Sequence, residues 1–227
     1  MYFRRIAIFV GLLLGGQALA EQVNLESPNA RISYAIGFDM ARNLRKQGVE
    51  VDADLIARGL RDGMAGNEAP MSEKELRKVM NDFQSDVRQK MAQNRRLAAD
   101  DNRKRGVAFM EQNKNREGVV VLPSGVQYRV EKMGDGSRPA ESDIVLCNYS
   151  GKLLNGHEFD ATEAGKPATF KLAALIPGWR EVLKLMPVGS KWQIAIPPQL
   201  AYGERGAGSE IGPNETLLFE VELVAIK

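Results

Sequence analysis

The spacing of apolar residues changes near Gly118, and this change limits the possible folds more than any other feature. Before Gly118, apolar side chains recur at steps of three and four residues, as on one face of a helix. After it, short runs rich in Val, Ile and Leu are separated by turn sequences containing Pro, Gly, Asn and Asp. The sequence therefore predicts an α+β chain, with helices first and an antiparallel strand domain second.

Two short helices are predicted within residues 21–70. The first covers residues 27–46, and the second begins at Asp52 or Asp54 and ends near Gly66. Neither is long enough to bury its apolar face alone. The two helices could pack against each other, or the region could form the shared core of two copies. We predict the second arrangement, a homodimer through residues 21–70.

A long connecting helix is predicted over residues 71–116. Ser72 and Glu75 form an S-x-x-E capping box, which marks a helix start. One apolar stripe follows at helical spacing, formed by Leu76, Met80, Phe83, Val87 and Met91. Residues 92–105 are then polar on nearly every side. This favours a solvated stalk over the alternative, a charged helix that lies on a globule.

The C-terminal domain, residues 117–227, has the sequence pattern of an antiparallel sheet. Strands are predicted at residues 119–122, 127–132, 144–154, 169–172, 191–197 and 216–226. Asn155-Gly156 is the strongest hairpin signal in the chain. One short helix, residues 178–186, lies between strands. We predict a β half-barrel wrapped around this helix, which presents Trp179 first to the open mouth.

Residues 1–20 have the pattern of a cleaved secretory signal. Arg4 and Arg5 precede an apolar run at residues 6–14, and Ala18-Leu19-Ala20 provides a small-residue cleavage site. The apolar run is about half of the ~20 residues that a membrane-spanning helix requires. We therefore expect an exported chain without a transmembrane segment after cleavage. Its expected location is the periplasm, either free or peripheral to the outer membrane.

Charge balance and the scarcity of Cys and His exclude several classes of function. Two of the 31 basic residues lie in the signal, so 29 basic and 29 acidic residues remain after cleavage. This balance leaves no excess positive charge that would indicate nucleic-acid binding. One Cys and one His are too few for an internal disulfide or a zinc site. No metal or cofactor is predicted. Cys147 is expected to be buried and apolar, and His157 to be an exposed turn residue.

Two segments predict a small aromatic cup, Leu175-Ile176-Pro177-Gly178-Trp179 and Ala201-Tyr202-Gly203. A cup of this kind suits an apolar ring, and proline is the commonest such ring in a polypeptide. Rotation about an X–Pro amide needs no nucleophile, because its barrier of ~18–20 kcal/mol is lost amide resonance. A dry cavity that favours the twisted amide is sufficient to lower that barrier.

Six segments, taken in order, resemble the FKBP family of macrolide-binding peptidyl-prolyl isomerases. They are VLCNYSG (145–151), FD (159–160), IPGW (176–179), LMPVG (185–189), AYG (201–203) and GPNETLLF (212–219). The segments SYAIGFDMARNL (33–44) and VVVLPSGVQY (119–128) are similar to the macrophage infectivity potentiator (Mip) subgroup of secreted bacterial members. The resemblance implies an FKBP-like fold and an isomerase that assists the folding of exported proteins. It also implies proline-containing polypeptides as substrates and macrolides as inhibitors.

The resemblance further implies roles for individual residues. The backbone N–H of Ile176 and the hydroxyl of Tyr202 are expected to donate to substrate carbonyls. Asp160 is expected to be the polar catalytic group at the edge of the pocket, near Tyr149. The other residues are expected to bind the substrate's proline ring. Trp179 is expected to form the floor of the pocket, and Tyr149, Phe159 and Phe219 its walls. Leu175 is expected at the mouth of the pocket, and Ile211, in a long loop, near its rim.

Simpler explanations remain open for some of these residues. Phe159 and Phe219 are equally suited to filling a core, and Asp160 to capping a turn. The chain also departs from the family, because no Arg lies between Asp160 and Lys166 to pair with the pocket Asp, and residues 204–212 are rich in glycine. Two other functions stay open, a periplasmic chaperone or proline-segment binding module with little catalysis, and a scaffold whose helical region is the functional part.

Overall fold

The computed structural model describes residues 24–227, which belong to two compact units divided after Pro70. The predicted signal, residues 1–20, lies outside the described residues. Within the described part of the chain, no helix is both long and apolar enough to cross a bilayer. Three helices come first and an antiparallel sheet follows, which confirms the predicted α+β class.

The first unit consists of two helices with the predicted ends. Helix α1 spans Pro28–Lys46 and is capped by the Ser27 side chain, and helix α2 spans Ala53–Ala65 and is capped by Asp52. Gly66 ends α2 in the left-handed conformation that glycine adopts without strain. Within residues 24–70, neither helix contains a fully buried residue. Their large apolar side chains are exposed in the single chain, among them Ile32, Ile36, Met40, Leu55, Leu60 and Met64.

Helix α3 spans Glu73–Asn113 and begins with the predicted capping box. The Ser72 hydroxyl accepts a hydrogen bond from the Glu75 N–H, and the Glu75 carboxylate accepts one from the Ser72 N–H at 2.8 Å. The hydrogen bonds from Ser72 lower the pKa of the Glu75 carboxyl. The helix start is therefore determined by local chemistry.

The second half of α3 differs from the prediction of a stalk solvated on every side. It lies on the sheet domain and buries Asn102 and Gly106. An apolar stripe is not needed for this contact. Gly106 has no side chain to collide with the Thr216 hydroxyl, and the Asn102 amide donates to the Pro213 carbonyl at 2.8 Å.

The second unit is built on seven strands within residues 71–227. They are β1 Val119–Val121, β2 Gln127–Lys132, β3 Ile144–Leu153, β4 Glu158–Ala161, β5 Ala168–Lys171, β6 Lys191–Ile196 and β7 Leu217–Ile226. Their order is β1-β2-β6-β7-β3-β4, all pairs are antiparallel, and β5 pairs with the first part of β3. Six of the seven strands lie close to the predicted ranges, whereas β4 was not among the predicted strands.

One short helix packs against this sheet, as predicted. Helix α4 spans Pro177–Leu183 and buries Trp179, Val182 and Leu183. Alternate residues of β7 face the same core, because successive side chains of a strand point to opposite faces. Cys147 is also fully buried, and burial raises the pKa of its thiol to about 12. It is a packing residue, as expected.

The predicted Asn155-Gly156 turn joins β3 to β4. The Leu153 N–H donates to the His157 carbonyl at 2.9 Å, and the Gly156 N–H donates to the Leu153 carbonyl at 3.0 Å. Gly156 has a φ of 87°, which a side chain would disfavour. The turn sets the register that brings β4 alongside the end of β3.

Candidate active site

Three aromatic rings surround the indole of Trp179. Its ring centroid lies 5.3 Å from that of Tyr149, 5.2 Å from Phe219 and 5.9 Å from Phe170, and all three contacts are edge-to-face. This geometry suits the charge distribution of aromatic rings and holds each ring in one orientation. Trp179 is only 4% exposed. It therefore forms the deep surface of an aromatic cluster.

Two glycines make room for these rings. At Gly178, an added Cβ would lie within 3.1 Å of several Ile196 side-chain atoms, so only glycine lets the first turn of α4 approach β6. At Gly151, an added Cβ would lie 2.7 Å from atoms of both Phe159 and Phe219. The Phe159 and Phe219 rings meet edge-to-face over it, with centroids 5.6 Å apart. The glycines of the IPGW and VLCNYSG segments are thus steric requirements of the cluster.

Phe170 also belongs to this cluster, although it was not among the predicted site residues. It lies on β5, is half-buried, and its ring centroid is 5.7 Å from that of Tyr149. Pairing of β5 with β3 places it there. The available signal was the alternation of Ala168-Thr169-Phe170-Lys171, which puts Phe170 on one face of a predicted strand.

A polar pair lies at one side of the aromatic cluster. The Tyr149 hydroxyl donates to Oδ2 of Asp160 at 2.5 Å. Burial, and then this hydrogen bond, raise the pKa of the Tyr149 hydroxyl, so it remains a proton donor. Asp160 forms no ion pair with any residue in the described range, in agreement with the missing Arg in its loop. Tyr149 is its partner instead.

Several hydrogen-bond donors of the site have no internal acceptor. Within residues 24–227, no group accepts from the Ile176 backbone N–H or from the Tyr202 hydroxyl. The indole Nε1 of Trp179 is buried and also unpaired. Tyr202 is 41% exposed, and its proximity contributes to the raised pKa of Tyr149. Such donors can be satisfied by a bound carbonyl group.

The remaining predicted residues lie on the same apolar cluster. Leu175 and Ile176 are half-buried, and both pack against it just before α4. Ile211 is 8% exposed and belongs to the core itself, which is deeper than its predicted place near the rim. The fold thus brings together segments that are up to 70 residues apart in sequence.

A cavity of about 660 Å³ was not predicted from the sequence. It lies between the end of α3 and neighbouring strands, and its lining includes Phe109, Asn113, Gln127, Gln193, Leu218 and Glu220. Trp179, Tyr149 and Tyr202 do not line it, but Phe219 does. The cavity therefore adjoins the aromatic cluster through this one ring.

Comparison with known families covers nearly the whole described chain. Residues 29–130 match the domain amino-terminal to FKBP-type peptidyl-prolyl isomerase, and residues 136–224 match the FKBP-type peptidyl-prolyl cis-trans isomerase domain. The first match ends within β2 and the second begins just after it, and the second match includes every residue of the aromatic cluster.

Individual relatives agree with these matches. The outer membrane protein MIP of Legionella longbeachae is 41% identical over 97% of this chain and 96% of that protein. The peptidyl-prolyl cis-trans isomerase Mip of Coxiella burnetii is 41% identical over 96% of this chain and 95% of that protein. The crystal structure of FkpA from Escherichia coli is similar with a TM-score of 0.69 at 33% identity, over 90% of this chain and 99% of that one.

Proposed function

The chain belongs to the FKBP-type peptidyl-prolyl cis-trans isomerases, and from this premise we propose that it assists the folding of exported proteins by isomerising their X–Pro bonds in the aromatic cluster. The observation that carries the proposal is the buried Trp179 indole, framed by Tyr149 and Phe219 at centroid distances of 5.3 and 5.2 Å. A pyrrolidine ring is small and apolar enough to pack on that surface.

The proposed mechanism involves no covalent step. The barrier of ~18–20 kcal/mol is the amide resonance lost when the C–N bond twists. The twisted amide is less polarised than the planar one, so an apolar, water-poor site stabilises it relative to the ground state. A barrier lower by about 4 kcal/mol would accelerate rotation on the order of a thousandfold. Aromatic packing with a few polar groups is adequate for this.

Three polar groups are proposed to orient the substrate. The Ile176 N–H and the Tyr202 hydroxyl, which have no acceptors in the described range, would each donate to a carbonyl beside the rotating bond. Unpaired donors gain more from a bound carbonyl than donors that must first break a hydrogen bond. Asp160 would hold the Tyr149 hydroxyl and supply negative charge at the edge of the pocket.

The finer assignments of location and assembly are part of the proposal. Residues 1–20 have the composition of an export signal, which supports a periplasmic location, free or peripheral to the outer membrane. The exposed apolar side chains of α1 and α2 support a homodimer through residues 21–70. A macrolide inhibitor is expected to compete with proline substrates for the aromatic cluster.

The test is a protease-coupled assay on a proline tetrapeptide, with and without a macrolide. The protein should accelerate the slow phase, and the macrolide should abolish the acceleration. Relaxation unchanged at micromolar protein would refute the proposal. Trp179→Leu and Trp192→Leu form a matched pair, because both indoles are buried. At a temperature where both variants remain folded, only Trp179→Leu should lose activity.

A further inference from the structure

Residues 203–214 form a closed loop that directly follows Tyr202 and contains Ile211. At its base, the Asn214 N–H donates to a carbonyl at the start of the loop, at 2.8 Å. Farther out, Ala207 and Ile211 exchange two backbone hydrogen bonds of 2.9 and 3.1 Å. This bonding makes the loop a single unit. Because the unit directly follows Tyr202 and contains Ile211, any movement of the unit would also move these two residues relative to the aromatic cluster.

Helix α3 attaches to both arms of this loop. In the outgoing arm, the Arg95 guanidinium donates to the carbonyl oxygens of Glu204 at 3.0 Å and Arg205 at 2.6 Å. In the returning arm, the Asn102 amide donates to the Pro213 carbonyl at 2.8 Å. A helix more than 100 positions earlier in the sequence thus contacts the loop on either side of its tip.

The spacing of these two residues suits this contact. Arg95 and Asn102 are seven positions apart, about two helical turns, and so lie on one face of α3. Asn102 is 6% exposed, although the surrounding segment is strongly polar. Its side-chain oxygen accepts a hydrogen bond from Arg105, which orients the amide nitrogen toward Pro213. Without Asn102, the Pro213 carbonyl would lose this donor.

We propose that Arg95 and Asn102 are positioning residues for the isomerase reaction. By holding the loop of residues 203–214 to α3, they keep Tyr202 and Ile211 in the arrangement that binds a proline-containing segment. They act through the loop and do not contact the substrate. This proposal rests on the function proposed above for the aromatic cluster. It also gives the polar half of the connecting helix a role at the active site.

The test compares Arg95→Ala and Asn102→Ala in the full-length protein with Arg96→Ala as a matched control. Arg96 is an exposed neighbour in the same helix, and its side chain forms no hydrogen bond or ion pair with any described residue. KM and kcat for a proline tetrapeptide are measured by two-dimensional NMR exchange. In the alanine variants, we expect the loop to be in its binding-competent conformation in only about a third to a tenth of the molecules. KM should then rise about three- to tenfold, while kcat stays within about twofold.

Two further measurements separate positioning from general destabilisation. Amide hydrogen exchange should accelerate for residues 204–212 in both variants and remain unchanged in the sheet. Arg95→Lys should have a KM close to that of the wild type, because an ammonium group can also donate to the Glu204 and Arg205 carbonyls. Normal KM and normal loop exchange in both alanine variants would overturn the proposal, as would equal changes in Arg96→Ala. Absence of catalysis by the wild type would refute the proposed function instead, and loop exchange would still test the attachment.

Discussion

The helices of the first unit expose their large apolar side chains, whereas the second unit buries many of its own in a core. In α1 and α2, Ile36 and Met64 are mostly accessible. In the second unit, Leu183, Ile196 and Leu223 are completely inaccessible. Burial of apolar surface is worth roughly 25 cal/mol per Å². The second unit therefore contains its own source of stability, while residues 24–70 need apolar contacts beyond those of their own two helices.

Helix α3 repeats this contrast within one element. Its first half has the apolar stripe, yet Met80 and Met91 are exposed there. Its second half is polar, yet it buries Asn102 and Gly106 against the sheet domain. Polarity thus predicts whether a helix face can be buried by apolar contacts. It does not exclude docking through hydrogen bonds and close backbone approach.

The largest expected effect comes from deleting residues 21–69. Removal of the exposed apolar helices should convert the proposed homodimer to a monomer, because their faces are the proposed subunit contact. Sedimentation equilibrium measures the mass. The remaining domain should isomerise a short proline peptide at a rate within about twofold of the full chain, since the aromatic cluster lies in its own core. If the truncated protein remained a dimer, residues 21–69 would not be the subunit contact. If it lost peptide activity, the isomerase site would not be independent of these residues.

The second effect tests the docked half of α3. Gly106→Leu places a side chain where even a Cβ would collide with the Thr216 hydroxyl. Overpacking of this kind should cost about 1–3 kcal/mol of the free energy of unfolding. Urea denaturation measures the change. Val107→Leu is the control, because Val107 is 60% exposed on the same helix and its replacement should be nearly neutral. Equal stabilities for the two variants would mean that α3 is not held at Gly106.

The third effect separates activity from packing in the second unit. Asp160→Ala and Tyr202→Phe should each lower the isomerisation rate about tenfold, equivalent to ~1.4 kcal/mol. Neither residue is buried, so the melting temperature should change little. Tyr34→Phe in α1 is the matched control and should retain full activity. Melting temperatures that fall in proportion to the rates would assign Asp160 and Tyr202 to packing.

The smallest effect is a pH dependence at the contact between α3 and the loop of residues 203–214. Burial raises the pKa of Glu215 above its ordinary value of 4.5, although Arg105 and Asn102 oppose the shift. The protonated form is therefore favoured in the folded state. Its contribution to stability is complete below the ordinary pKa and is lost as the pH rises through the folded-state pKa.

Glu215→Gln should remove this dependence, because the amide cannot ionise. Between about pH 4 and pH 7, the wild type should lose more stability than the variant in urea denaturation. Parallel stability curves for the two proteins would show that Glu215 titrates in the folded state as it does in the unfolded chain.

Local chemistry explains which elements were predictable. The start of α3 follows from the Ser72–Glu75 capping box, and the end of α2 follows from Gly66. The β3–β4 turn similarly follows from Asn155-Gly156. Each involves residues a few positions apart, so the hydrogen bonds that define it are already specified in the sequence. The aromatic segments were recognisable for a different reason, since their motifs resemble a known family.

Other features could not be predicted because they join distant parts of the chain. Phe170 enters the aromatic cluster only through the pairing of β5 with β3. The docking of α3 depends on a contact between Gly106 and Thr216, and nothing near Gly106 indicates it. The deeper burial of Ile211 likewise depends on the closure of its loop.

The sequence by itself determined most helix ends, six of the seven strand ranges and the apolar character of the site, because short-range hydrogen bonds and side-chain periodicity are encoded locally. Only the tertiary structure decided which rings meet at Trp179 and which face of α3 is buried. Those outcomes depend on steric fit and hydrogen bonding between segments separated by tens of residues. Single-sequence patterns do not specify such pairings.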